Sequence, residues 1–420
     1  MKVFKFGGAS VKDASGIKNV ASILKLYQGE SIVVVVSAMG KITNALEKLT
    51  EAYFNKSGET EKILEEIKQY HEGIMDALFS DKKHSIYNEV HNTFVEIEWV
   101  IDSEPEKSFD HEYDQIVSIG ELVSSKILSA YLKEVEIKNQ WLDIRDYLQT
   151  DDTYREGKVN WSLTQELIEK NWVPKIKQNQ VFITQGFIGC TPQNYTTTLG
   201  REGSDYTAAI LSHILNIKEL TIWKDVPGVL NGDPKLFPNA VKLPRISYQE
   251  AIELTYHGAT VIHPKTIKPL QSKNISLHVR SFLKPTEIGT IIANDAPGID
   301  TPCFIVKSNQ VLLLAATKDF SFVDEDDLAL IFDVFAEQKI KMNIMDYGPN
   351  GLFASLTYDS RKLPQVLSAI ETKYDIQVQQ GLKLITIRHY NKQVVEEIIG
   401  KQEIFLQLAD GINGWYLIKE

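Results

Sequence analysis

The chain has 420 residues, nearly three times the ~150-residue norm for one domain, so two or three domains are expected. Its 45 Lys+Arg against 56 Asp+Glu give a formal net charge of −11, which argues against nucleic acid as a partner, because counterion release needs clustered cations. The two cysteines, Cys190 and Cys303, are too few for a disulfide framework or a thiolate zinc site. The opening MKVFKFGGAS has no apolar signal core, and the longest apolar run, Ile32–Val36, falls far short of the ~20 residues of a membrane span. A cytoplasmic enzyme with no membrane partner is expected.

In chain order, Val3–Phe6 reads as a buried strand that breaks at Gly7-Gly8. A helical pattern follows through Ile17, Val20, Ala21 and Leu24, then a β-branched strand, Ile32–Val36. Strand, helix and continuous apolar strand indicate a parallel sheet covered on both faces. From about 45 to 134 the composition turns to long charged helices. Strands return at Val181–Thr184, Leu220–Trp223 and Ile275–Val279, which gives an α/β sandwich over the first 290 or so residues. Asn294–Pro302 reads as a linker. Beyond it, Val311–Ala316, Asp324–Gln338, Met342–Met345, Leu352–Tyr358, Leu363–Lys373 and Leu382–Ile387 follow a β-α-β-β-α-β order, the ferredoxin-like plan. From Asn391 one helix and two strands remain, too little for another complete unit.

Three glycine-bearing turns follow predicted strands. Lys5-Phe6-Gly7-Gly8-Ala9-Ser10 lets backbone N–H groups approach a phosphate; taken alone, an isolated Gly-Gly reads better as a tight βα turn with a solvated lysine. Ser37–Asn44 contains Gly40-Lys41 but lacks the Walker A spacing, and no GxGxxG fingerprint occurs. Thr196–Asp205 sets hydroxyls, two glycines and Arg201 before a helix expected from Tyr206, either as an anion cradle or as a loop capped by Ser204 or Asp205. Their recurrence at the strand ends of one sheet is the stronger argument. His263, in VIHP, has no metal partners at suitable spacing and reads as structural.

KFGGAS at Lys5, SAMGKITN at Ser37, Gly120-Glu121, GFIG at Gly186, TTTLGREGSDYTA at Thr196, KDVPGVLNGDP at Lys224 and ISYQEAIELTYHGATVIHP at Ile246 stand in the order seen in aspartate kinases. Over about residues 1–290 the chain resembles that branch of the amino-acid kinase superfamily, and its tail resembles the family's ACT regulatory region. The resemblance implies an α/β/α kinase domain over 1–294. It implies an ACT region over 303–420, with a first unit over 303–380 and an incomplete second over 381–420. The implied reaction is ATP- and Mg2+-dependent phosphorylation of the L-aspartate side chain to 4-phospho-L-aspartate, the entry to lysine, threonine and methionine synthesis. A side-chain carboxylate with a reference pKa near ~3.9 is already ionised, so positioning and charge neutralisation replace a general base.

The resemblance also implies roles. Lys5 and Asp205 are expected to be catalytic, Asp205 by orienting the lysine. Arg201 pairs with the substrate α-carboxylate and Glu121 with its α-ammonium, while Ser37, Thr43, Phe187 and Ser204 complete the aspartate pocket. Nucleotide falls to Lys5, Gly7, Gly8, Ser10, Lys224, Asp225, Leu230, Lys235 and Lys284, with Asp233 in the same segment. No protein metal ligands are expected. Met342, Asn343 and Ile344 form the expected effector site for lysine or threonine. A homodimer through the ACT regions, with weak or absent feedback, completes the expectation. The family pattern is broken at Ala9, where Thr is usual, and at Glu202, where Gly is usual; Lys224, Leu230 and Lys235 replace Thr, Tyr and Arg.

Overall fold

Val3, Phe4 and Phe6 on the first strand and all of Ile32–Val36 on the second are buried, as a sheet covered on both faces requires. The structure, a computed structural model, describes residues 1–176, 180–259, 262–319 and 321–420. It divides into two units: Met1–Val229 with Lys242–Ile252 and Val261–Pro297, and Leu230–Val241 with Glu253–Thr260 and Gly298–Glu420.

The first unit contains β1 (Lys2–Phe6), β2 (Ile32–Val36), β3 (Asn139–Trp141), β4 (Val181–Gln185), β5 (Ile188–Cys190), β6 (Thr196–Thr198), β7 (Glu219–Lys224), β8 (Arg245–Ile246), β9 (Ser276–Ser281) and β10 (Thr290–Ile292). Eight of these form one sheet in the order β3-β4-β2-β1-β7-β9-β10-β8, while β5 and β6 make a separate hairpin. Every pairing in the large sheet is parallel except β9 with β10. The short strands β3, β5, β6, β8 and β10 carry too few residues for periodicity to reveal them.

Helix Ala14–Leu26 buries Ile17, Val20, Ala21, Ile23 and Leu24 against the sheet layer and is capped by Asp13, whose Oδ1 accepts the Gly16 N–H at 2.7 Å. The charged stretch forms helices Ile42–Phe54, Thr60–Leu78, Ser85–Ile101, Phe109–Val117 and Ile119–Glu134. The last is buried almost all round, which is how a carboxylate such as Glu121 ends up inside.

The second unit holds a six-stranded antiparallel sheet of β11 (Cys303–Thr317), β12 (Met342–Gly348), β13 (Gly351–Thr357), β14 (Tyr374–Arg388), β15 (Ile404–Ala409) and β16 (Asn413–Lys419), in the order β12-β13-β11-β14-β16-β15. With helices Glu325–Glu337 and Leu363–Ile370, the run from β11 to β14 is a complete ferredoxin-like unit. Both long strands run through two sheet halves. Leu312–Thr317 pairs with Tyr374–Gln379, and Cys303–Lys307 pairs with Leu384–Arg388, with register shifts between them around Asn309 (φ 57°). The second half of β14 is therefore flanked on one side by the first half of β11 and on the other by β16 of the C-terminal segment. One core joins Val311, Leu313 and Ala315 to Ile331, Phe335, Val366 and Ile370; a second joins Ile385, Ile387, Tyr416 and Ile418 to Ile399. Alternate residues Leu312, Leu382, Leu384 and Leu417 cluster on the opposite face. Among the described residues, no helix is long and apolar enough to cross a membrane.

Candidate active site

Two strand ends of the large sheet, those of β1 and β2, deliver the first two turns singled out in the sequence; the third, Thr196–Asp205, starts in β6 of the separate hairpin, so the three turns do not share one sheet. After β1, Gly7 opens a short 3-10 turn, Gly8–Val11. The turns after β1 and β2 are hydrogen bonded together: Gly40 N–H donates to Gly8 O at 3.0 Å, and Ser37 N–H to Phe6 O at 3.1 Å. A methyl group at Gly8 would lie 2.8 Å from Ala38 O and Gly40 O, so only glycine fits this backbone crossing. At Gly7 the added carbon would face Lys5 Nζ at 3.4 Å, so the space beside that ammonium is kept clear. Ser10 is buried with its hydroxyl directed to Trp223 O, and its N–H donates to Gly7 O at 2.9 Å.

Lys5 and Asp205 are both buried, with Nζ and Oδ1 2.7 Å apart. Burial alone would raise the Asp205 pKa, but the Lys5 and Lys224 cations outweigh it and leave the carboxyl below its ordinary value. Glu121 is also buried. One of its oxygens accepts the Ala38 N–H at 3.1 Å, and Oε2 has no hydrogen-bond partner among the described residues. Burial pushes its pKa up to about 8, against the opposing Ala38 N–H and the Lys5 charge. Ionised, this carboxyl would call for a cation at Oε2, where none of the described residues donates a hydrogen bond.

The Thr196–Asp205 segment differs from the sequence expectation in its boundaries. Thr196–Thr198 is a strand and the helix begins at Gly203, three residues earlier than Tyr206. Ser204 and Asp205 are therefore buried first-turn residues, not caps; the cap position is Glu202, in a left-handed conformation (φ 55°) with no side-chain cap bond. The reason is the Phe187–Gly203 contact, where a Cβ on Gly203 would sit 2.7 Å from the Phe187 ring and which fixes the first turn. The Glu202 carboxylate accepts the His263 N–H at 2.8 Å, so the acid replacing glycine turns away to cap a neighbouring segment. His263 Nδ1 in turn accepts the Lys265 N–H at 3.2 Å and caps helix Pro264–Ser272.

Arg201 is exposed, Thr43 is half-buried at the start of helix Ile42–Phe54, and Phe187 is held at φ 69° by Thr207 Oγ1 on its N–H, 3.0 Å away. Lys224 ends β7 half-buried, followed by exposed Asp225. Lys284 is exposed and 3.4 Å from Glu287. Leu230, Asp233 and Lys235 belong to the second unit, where Asp233 Oδ1 accepts the Lys235 N–H at 2.9 Å. In the second unit, Asn343 is fully engaged. Its carbonyl accepts from Lys307 Nζ at 2.8 Å, and its amide donates to Gln310 Oε1 at 2.7 Å and Thr357 Oγ1 at 3.1 Å. Met342 and Ile344 flank it, half-buried. Among the described residues, no group of three or more His, Cys, Asp or Glu side chains is placed to hold a metal ion.

Residues 1–281 match the amino acid kinase family. Lysine-sensitive aspartokinase 3 of Escherichia coli K12 is 30% identical over 395 residues, covering 92% of this chain and 86% of that protein. The chain belongs to the amino acid kinase family and, within it, to the aspartokinases. Two E. coli aspartokinase III structures extend the likeness over the whole length of this aspartokinase. The complex with aspartate and ADP has TM-score 0.83 at 27% identity, over 100% of this chain and 96% of that one. The complex with lysine and aspartate has TM-score 0.82 at 28% identity, over the same shares. The catalytic and ACT-type architecture is shared throughout.

Proposed function

We propose that this aspartokinase transfers the γ-phosphoryl group of ATP to the side-chain carboxylate of L-aspartate, giving ADP and 4-phospho-L-aspartate at the start of aspartate-family amino-acid synthesis. The observation that carries the reading is Glu121: a buried carboxyl with an orphan oxygen and a pKa raised to about 8 awaits an ammonium group. A substrate ammonium there and Arg201 on the α-carboxylate leave the side-chain carboxylate as the attacking group. Its oxygen bonds to phosphorus as the bond to the ADP oxygen breaks, and no proton has to be removed. Lys5, steadied by Asp205, neutralises charge on the transferred group, with Gly7, Gly8 and Ser10 around the phosphates. Ser37, Thr43, Phe187 and Ser204 complete the aspartate pocket; Lys224, Asp225, Leu230, Lys235 and Lys284 serve the nucleotide.

Mg2+ fits as an ion carried by the phosphates, since such ions keep several waters and take few protein ligands. When bound, it screens the charge between the phosphates. ATP fits the cleared space beside Lys5 and is consistent with the ADP complex of the E. coli relative. Domain roles follow the sequence expectation: catalysis over 1–294, and regulation over 303–420 with units at 303–380 and 381–420. Homodimerisation through the ACT regions, a cytoplasmic site of action, and lysine or threonine as effector at Met342, Asn343 and Ile344 are parts of the same proposal. Lysine sensitivity of the E. coli relative supports the effector class.

The deciding experiment traps the acyl phosphate with hydroxylamine in the presence of ATP and Mg2+, with glutamate and N-acetylglutamate as controls. Hydroxamate from aspartate alone supports the assignment. Aspartate or ATP binding without product overturns it in favour of a ligand sensor.

A further inference from the structure

Strand β6, which leads directly into the Arg201 turn, pairs with β5 on only one edge. Its other edge is closed mainly by side chains of helix Phe109–Val117. Gln115 accepts the Thr196 N–H at 3.2 Å and donates to Thr196 O at 2.8 Å. Asp114 Oδ2 accepts the Thr198 N–H at 2.8 Å, and Oδ1 accepts the Thr198 hydroxyl at 2.7 Å. The same Oδ2 accepts the Arg155 N–H at 3.0 Å, while Gly157 N–H donates to Thr198 O at 2.8 Å. Segment 155–157 is thereby fixed against the Arg201 turn: a Cβ on Gly200 (φ 74°) would lie 3.1 Å from Arg155 O.

Asp114 lies seven residues before Glu121, and its helix passes through Ser118 straight into the helix that carries Glu121. One carboxylate therefore joins the two places where the ends of the substrate are to be held. We propose that Asp114 is a positioning residue that fixes the Arg201 turn relative to Glu121 and so sets the affinity for the amino-acid substrate. This rests on the reading of Arg201 and Glu121 given above. Asp114 has no exposed surface, and burial pushes its pKa up to about 6 against the donors around it. Mere filling of this site would be cheaper with a neutral side chain; three converging donors call for a carboxylate. The Arg155 guanidinium pairs with Asp110 at 3.3 Å and lies over the Tyr113 ring at 4.5 Å; its charge acts on Asp114 only through space, and the hydrogen-bond partners of Asp114 are backbone and hydroxyl groups.

The test is Asp114→Asn in the full chain, which preserves shape and turns one acceptor into a donor facing donors. Aspartate binding by calorimetry is measured with the kinetic constants for both substrates. Aspartate Kd and KM are expected to rise about tenfold or more, since each hydrogen bond to a charged group counts for roughly 1.5–3 kcal/mol, with ATP KM unchanged. Thr198→Val, which removes only the hydroxyl donor, shifts aspartate KM in the same direction by less. Combined with Asp114→Asn it adds little, as coupled groups do. Equal losses for aspartate and ATP, or unchanged aspartate binding, overturn the proposal. If Asp114→Asn does not fold, Thr198→Val decides, and an unchanged aspartate KM then overturns it. Absence of hydroxamate from the unaltered enzyme counts against the assigned reaction instead; the calorimetric comparison still reads Asp114.

Discussion

Two buried charged groups, Lys5 on the central strand β1 and Glu121 on helix Ile119–Glu134, carry opposite electrostatic problems. Lys5 has a carboxylate beside it, so replacing it by methionine removes the cation proposed to neutralise the transferred phosphate and leaves Asp205 buried without its 2.7 Å partner. We expect Lys5→Met to lower kcat by about 10²–10³, the loss seen when one charge-stabilising donor is removed, with a much smaller change in aspartate Kd. Steady-state kinetics with calorimetry checks this; equal losses in both would refute the assigned role. Glu121 has the reverse problem, because its pKa is raised from 4.5 to about 8. The folded empty protein therefore holds this proton more tightly than the unfolded chain does. Its contribution to stability is full below about 4.5 and is lost as pH rises toward 8. Glu121→Gln should flatten that slope and raise the unfolding temperature at pH 8 while abolishing aspartate binding. In the unaltered protein, an arriving ammonium drives Glu121 to ionise, so aspartate binding at pH 7 should release close to one proton. Calorimetry in buffers of different ionisation enthalpy reads that number directly, and zero would mean that Glu121 is already ionised before aspartate arrives.

At the scale of elements, the site depends on close backbone approaches made by helices to strand ends. A Cβ on Gly186 would lie 2.5 Å from Ser204 Cβ and 2.7 Å from Ser204 Cα, so the first turn of helix Gly203–Ile214 packs directly on the end of β4. Gly186→Ala must push that turn, with Ser204 and Asp205, off the sheet. It is expected to lower the thermal midpoint by several degrees and weaken aspartate binding together, checked by thermal unfolding and calorimetry. An unchanged midpoint would mean the turn moves freely. The helix Phe109–Val117 shows why sequence reading passed over Asp114. Acids at 110, 112 and 114 all read as charged helix surface by residue type, and only the fold shows which one meets β6.

At the scale of the whole molecule, the second unit bears on the regulation proposed above. In the ACT region the Asn343 side chain is already occupied by Lys307, Gln310 and Thr357. An effector ammonium that needed the Asn343 carbonyl would have to displace an internal ammonium held at 2.8 Å. We therefore expect free lysine to inhibit weakly at sub-millimolar concentration. A steep inhibition curve in that range would show the internal contact to be readily displaced.

What the sequence determined by itself was the alternation of apolar strands with helices, the three glycine turns, and the order of motifs from Lys5 to His263. These are local patterns, and steric rules tie each to a strand, a helix or a turn without reference to partners. The ferredoxin-like order beyond residue 303 was legible for the same reason. Only the tertiary structure decided that Cys303–Lys307 pairs beside Leu384–Arg388, because strand partners far apart in sequence leave no periodic trace. It alone turned Glu202 toward the His263 N–H and moved the helix start to Gly203. It also separated Glu121 and Asp114 from the other acids of their helices, since burial and hydrogen-bond partners, not residue type, set whether a carboxylate is solvated, orphaned or saturated.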